Sequence, residues 1–119
     1  MGLKTAAENL VQQGFADVGT KRGGEFYLPA SAAGRYVDAC VQQSLAIVGV
    51  EVFRLEGVKL RPDLSLIADF SSVVTGEETW DNAVRLTGAD AHRFVGEVPS
   101  ERDVLVNFTV LSEEEFRSG

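Results

Sequence analysis

The stretch Leu45-Ala46-Ile47-Val48-Gly49-Val50-Glu51-Val52-Phe53 constrains the fold more than any other part of the chain. Its β-branched and apolar residues fill both faces up to Glu51, a pattern that suits a central strand covered on at least one side. Arg54-Leu55-Glu56-Gly57 reads as a turn, and Val58 to Leu60 followed by Leu64 to Phe70 as the returning strand. In the second piece Leu64, Leu66, Ala68 and Phe70 alternate with Ser65, Ile67, Asp69 and Ser71. That alternation predicts an antiparallel partner with one packed face and one partly wet face.

Helical spacing flanks this hairpin. Leu3, Ala6, Ala7, Leu10 and Val11 recur on one side of a first helix that Gly14 can stop. Residues 17–29 hold Gly19, Gly23, Gly24 and Pro29 and read as a loop, with Glu25 to Leu28 as a brief edge strand. Ser31 is placed to cap a second helix, which carries Ala33, Val37, Cys40, Val41 and Ser44 on one side and is weakened by Gly34. Thr75-Gly76-Glu77-Glu78 matches a capping box for a third, with Trp80, Val84, Thr87, Ala91 and Phe94 or Val95 as its stripe. Gly88 interrupts that helix, and Gly96 and Pro99 mark its end.

In the final strand, Val104-Leu105-Val106-Asn107-Phe108-Thr109-Val110-Leu111, the residues Val104, Val106, Phe108 and Val110 share a face. Ser112-Glu113-Glu114-Glu115 is either the start of a helical turn or a charged tail. No repeat or linker divides the chain. Residues 1–119 therefore read as a single α+β domain, with a small, mostly antiparallel sheet of three to five strands packed by about three helices. A length of 119 residues suffices for one hydrophobic core.

Charge narrows the partner classes. The chain carries 18 acids against 11 Lys and Arg, a formal charge of −7. Residues 1–60 balance six acids with six bases, while residues 61–119 hold twelve acids and five bases and thus the whole excess. Nucleic-acid binding is excluded as a general role, because phosphate contact needs clustered cations. The acidic half points to a basic partner, or serves only as a solvated surface. The segment Met1 to Glu8 lacks a secretion-type apolar run, and no stretch approaches a membrane span, so the expectation is a cytoplasmic protein without membrane contact.

Signs of catalysis are sparse. Cys40 and His92 are each the sole residue of their kind. Cys40 falls on an apolar stripe as a small core residue, and His92 lies at the flank of the third helix. A zinc site would need more ligands, and Gly23-Gly24 lacks the spacing and preceding strand of a phosphate loop. Asp63, Asp69 and Asp81 could gather a divalent cation only if the fold brought them together. The expectation is no enzyme, no cofactor and no metal. The alternative is a small-ligand or acid–base site built from Glu51, Asp69 and His92. A homodimer pairing through the edge of the final strand or of Glu25 to Leu28 is a further option.

The most specific pattern is the hairpin itself. Ile47 to Phe53, a short charged connection with Gly57, then Leu60-Arg61-Pro62 and Leu66-Ile67-Ala68-Asp69-Phe70 resemble a family of immunity proteins from bacterial polymorphic-toxin systems, the one numbered forty in that series. Gly49, Glu51 and Phe53 stand where the family pattern has Gly, an acid and an aromatic; Val50 replaces its second Gly. The order of elements over residues 3–111 is also similar. The resemblance implies a non-catalytic protein that binds and neutralises a cognate toxin domain, often a basic nuclease. Its expected contact residues are Glu51, Asp63, Asp69, Glu77, Glu78 and Asp81, with Phe70 or Trp80 as an aromatic anchor.

Overall fold

The computed structural model describes residues 6–118. Leu3, on the expected first stripe, lies outside them. In chain order the elements are α1 (Ala6–Gln13), β1 (Thr20–Arg22), β2 (Glu25–Pro29), α2 (Ala30–Gln42), β3 (Ala46–Glu56), β4 (Lys59–Asp69), α3 (Ser71–Gly76), α4 (Trp80–Val95), β5 (Val104–Leu111) and α5 (Glu113–Ser118). The strands form one antiparallel sheet in the order β1-β2-β5-β3-β4. The architecture is α+β, as the sequence predicts.

The apolar run does become the inner strand β3, held between β4 and β5. Leu45, Ile47, Val50 and Val52 are fully buried and meet Leu28, Val104, Val106, Phe108 and Val110 of the neighbouring strands. Helix α2 lays Ala33, Tyr36, Val37 and Cys40 over this layer, and α4 adds Ala91. Tyr36 stacks on Phe108 with centroids 5.1 Å apart. A second small cluster joins Ala46 to Val74, Trp80, Ala83 and Val84 where α4 flanks the start of β3. The final strand reads correctly from sequence, since Val104, Val106, Phe108 and Val110 are all buried.

Several local expectations are corrected. The segment read mostly as loop contains β1, which pairs with β2 across Gly23-Gly24, both at positive φ (57° and 83°) that glycine adopts without a Cβ clash. Both β2 and β5 lie inside the sheet, so neither Glu25 to Leu28 nor the final strand offers a free edge for a homodimer. Strand β3 runs on through Arg54-Leu55-Glu56, and the turn is Gly57-Val58, with Gly57 at φ 62° between the paired Glu56 and Lys59. The returning strand is continuous but bulged between its pairs with Glu51 and Phe53, which leaves Leu64 77% exposed. Helix α2 begins at Ala30 with Pro29 as its N-cap and no side-chain cap, so Ser31 does not serve. Leu10 is exposed rather than packed.

Thr75 is similarly displaced from its expected role. It lies inside α3, where its hydroxyl donates to the Ser71 and Ser72 carbonyls, and Thr79 caps α4 by accepting from the Asn82 N–H at 3.2 Å. The capping box forms instead at Ser112: its hydroxyl accepts from the Glu115 N–H at 3.1 Å, and Glu115 accepts from the Ser112 N–H at 2.9 Å. That exchange makes the acidic end a helical turn.

Candidate functional site

Helix α2 and the later part of α4 cover one side of the sheet; on the other side α3 and the start of α4 pack only the end at Ala46 and Leu111, and the rest carries the candidate site. Directly paired residues of an antiparallel ladder share a face. One row across the bare face is Tyr27, Asn107, Glu51 and Ile67; the next is Pro29, Leu105, Phe53 and Pro62; on the opposite flank of the first, Thr109, Gly49 and Asp69 align. The residues between them point to the core and are buried or, like Ala68, partly buried, whereas Ile67 is 47% exposed and Glu51, Thr109 and Asp69 are exposed.

Local contacts organise this face. Tyr27 and Phe53 meet edge to face with centroids 5.3 Å apart. Asn107 is buried beside them because its Nδ2 donates to the Phe26 carbonyl at 3.0 Å and to Glu25 Oε2 at 3.3 Å. The Arg22 guanidinium, at one edge of the sheet, donates to the Val58 carbonyl at the tip of the β3–β4 hairpin on the other edge. A flat sheet would hold those edges roughly 19 Å apart, at about 4.8 Å per strand spacing. The contact therefore curls the bare face into a trough.

Gly49 forms the floor of a depression of about 360 Å³ in this trough, walled by Glu51, Ile67, Asp69, Ser71 and Thr109. Asp69 Oδ1 accepts from the Ser71 N–H at 2.9 Å. The Ser71 hydroxyl and that N–H together hold the Asp69 carboxyl below the usual carboxylate range. The Glu51 carboxylate, by contrast, has no hydrogen bond or ion pair among the described residues.

The other expected contact residues lie elsewhere. Asp63 sits in the β4 bulge, where its carboxylate accepts from the Ser65 hydroxyl at 2.6 Å and the Ser65 N–H at 3.2 Å and pairs with Arg54 Nε at 3.3 Å. The Ser65 bonds, and then Arg54, hold its carboxyl below the usual range. Glu77 and Glu78 occupy the connection between α3 and α4, and Asp81 the first turn of α4, where its charge complements the helix dipole. Phe70 packs against the main core. Trp80 is also packed inward, its Nε1 donating to the Ser44 carbonyl at 2.8 Å and its ring lying 5.5 Å from that of Phe116. Of the expected acids, only Glu51 and Asp69 share the depression.

The acid–base alternative does not assemble. His92 stands between α2 and α4, where Nε2 meets Asp38 Oδ1 at 2.6 Å, and it is absent from the depression that Glu51 and Asp69 line. Cys40 is fully buried, and burial, with the Glu8 charge second, pushes its thiol up to about 12. Its thiolate is therefore scarce at neutral pH. Among the described residues no three His, Cys, Asp or Glu side chains gather as a metal site, and no helix is long and apolar enough to cross a membrane.

Sequence reasoning missed Tyr27, Leu105, Asn107 and Thr109. The signal was present in the final strand, whose alternate face carries Leu105, Asn107 and Thr109 opposite the apolar stripe. The fold and site together define a two-layer α+β protein with one sheet face left largely open. No family model, curated protein or solved structure matches the chain.

Proposed function

We propose that the protein is a non-catalytic immunity protein that neutralises a basic toxin domain by holding it against the open face of the sheet. The observation that carries this reading is Glu51. Among the described residues its carboxylate stands unpaired, in the middle of a surface to which Tyr27, Phe53, Leu105 and Ile67 contribute apolar area. Stable interfaces place such apolar and aromatic groups at their centre, and a cation from the partner supplies specificity there. The hairpin that resembles the immunity family is the same one that presents Glu51 and Asp69. The acid excess of the second half, spread over β4, α4 and α5, draws a basic partner in from a distance.

Co-expression of the chain with the toxin-like domain encoded beside it tests the proposal. Rescue of growth, and an association rate that falls as salt rises, are the expected results. Failure to rescue, or a salt-independent association, would overturn it.

A further inference from the structure

We infer that the protein binds a small aromatic carboxylic acid carrying a hydroxyl or N–H donor, in a cavity between α1 and the β1–β2 hairpin. The site is separate from the open sheet face and stands whether or not the chain neutralises a toxin.

The cavity measures about 330 Å³, and its walls include Gln12 of α1, Ala16 and Gly19 of the connection that follows, and Lys21 and Phe26 of the hairpin. That volume is within the range of small-molecule sites. Lys21 and Phe26 are direct ladder partners, so both project to the helix-covered side of the sheet, where Phe26 joins the core.

Gln12 points to an occupant. It is only 7% exposed, and its Oε1 is buried without a hydrogen-bond partner, alone in this among the side-chain oxygens and nitrogens of the described residues. Folded interiors pair such groups, because an unmet acceptor costs the full loss of its hydration. Burial raises the Tyr36 hydroxyl above the usual tyrosine range, and the Gln12 side chain pulls the other way as a donor toward it. The nitrogen end of the amide therefore serves the core, and the oxygen end is what a ligand can use. The terminal torsion of glutamine is soft, so a modest rotation brings that oxygen to an N–H or O–H in the cavity.

Lys21 selects the opposite end of the ligand. The chain has a formal charge of −7, yet the described lining of this cavity holds a lysine and no carboxylate. Among the described residues Lys21 has no ion pair, and it is exposed where Gln12 is buried. The ligand's donor thus lies inward and its anion at the mouth. Between them, Ala16 and the Phe26 ring offer an apolar wall. A Cβ on Gly19 would overlap that ring, so the connection lies directly against it and holds it in place. A ring-shaped apolar body suits such a wall.

Three probes test the site. Para-hydroxyphenylacetate carries donor, ring and carboxylate; phenylacetate lacks the donor, and tyrosol lacks the carboxylate. Titrating the ¹⁵N-labelled chain with the first should shift the amide signals of Gln12, Gly19, Lys21 and Phe26 in a saturable way, with binding about tenfold tighter than either of the others. Gln12→Met, of similar length, should bind the two acids alike. Lys21→Gln, at an exposed position, should weaken para-hydroxyphenylacetate about tenfold and leave tyrosol unchanged. Thermal melts check that both variants fold; should Gln12→Met fail to do so, Lys21→Gln and the comparison of probes on the unaltered chain decide. An absence of saturable shifts would mean that solvent alone serves the Gln12 oxygen and would overturn the site. Equal binding of the three probes, or binding indifferent to both variants, would overturn it as well.

Discussion

Thr87 shows how much of the architecture one buried hydroxyl can decide. The β4 ladder ends at Asp69 opposite Gly49, and two residues earlier on β3 the Ile47 N–H donates instead to Thr87 Oγ1 at 3.1 Å. The same hydroxyl donates to the Ala83 carbonyl at 2.8 Å, so a fully buried side chain links α4 to the core strand without an unpaired group. Thr87→Val keeps the shape and strands the Ile47 amide, an expected loss of about 1–3 kcal/mol in urea denaturation. Cys40 makes a different prediction. A thiol raised from 9.0 to about 12 favours the folded state fully below its unfolded pKa, and that contribution is lost as pH rises toward the folded value. Native protein at neutral pH should therefore resist thiol-disulfide reagents, and labelling should appear only with unfolding. Rapid labelling of the folded chain would show that Cys40 is accessible.

At the scale of elements, periodicity was informative and turn chemistry less so. The stripes of α2, α4 and β5 follow from apolar spacing, because core burial over several turns or pleats averages out local exceptions. Boundaries depend on single hydrogen bonds. Thr75 and Thr79 are both plausible caps, and the choice falls to Thr79 because residues 71–76 form their own short helix ahead of the extended Glu77. Thr79→Ala should cost about 1 kcal/mol through the lost N-cap, and Thr75→Ala clearly less, in paired thermal melts. The β4 bulge was hidden for a related reason. Alternation from Leu64 to Phe70 suggests a regular strand, but Asp63 folds back onto Ser65 and locks a local turn, so the register shifts and Leu64 points out. Leu66 and Ala68, beyond the turn, meet the core as the alternation requires.

Over the whole molecule, the charge that stands out in the sequence and the surface that the fold exposes are different partitions. Dividing the chain at residue 60 assigns the acid excess to the second half, yet Glu51 from the first half and Asp69 from the second face the same depression, while Glu77, Glu78 and Asp81 lie at the start of α4. Strand pairing over long sequence separation creates that regrouping, and spacing along the chain does not encode it. The consequence is kinetic. Steering depends on summed charge and is felt over about a Debye length, so Glu77→Gln with Glu78→Gln should lower the association rate a few-fold and flatten its salt dependence, with little change in dissociation. Glu51 acts at contact: Glu51→Gln removes one charge from the far field but leaves the partner's cation without its carboxylate. Its effect should fall on dissociation, accelerated about tenfold or more, with the association rate nearly preserved. Binding kinetics measured at two salt concentrations separate the two cases, and an association-rate loss from Glu51→Gln larger than that from the double variant, with dissociation unchanged, would show that Glu51 steers the partner rather than anchoring it.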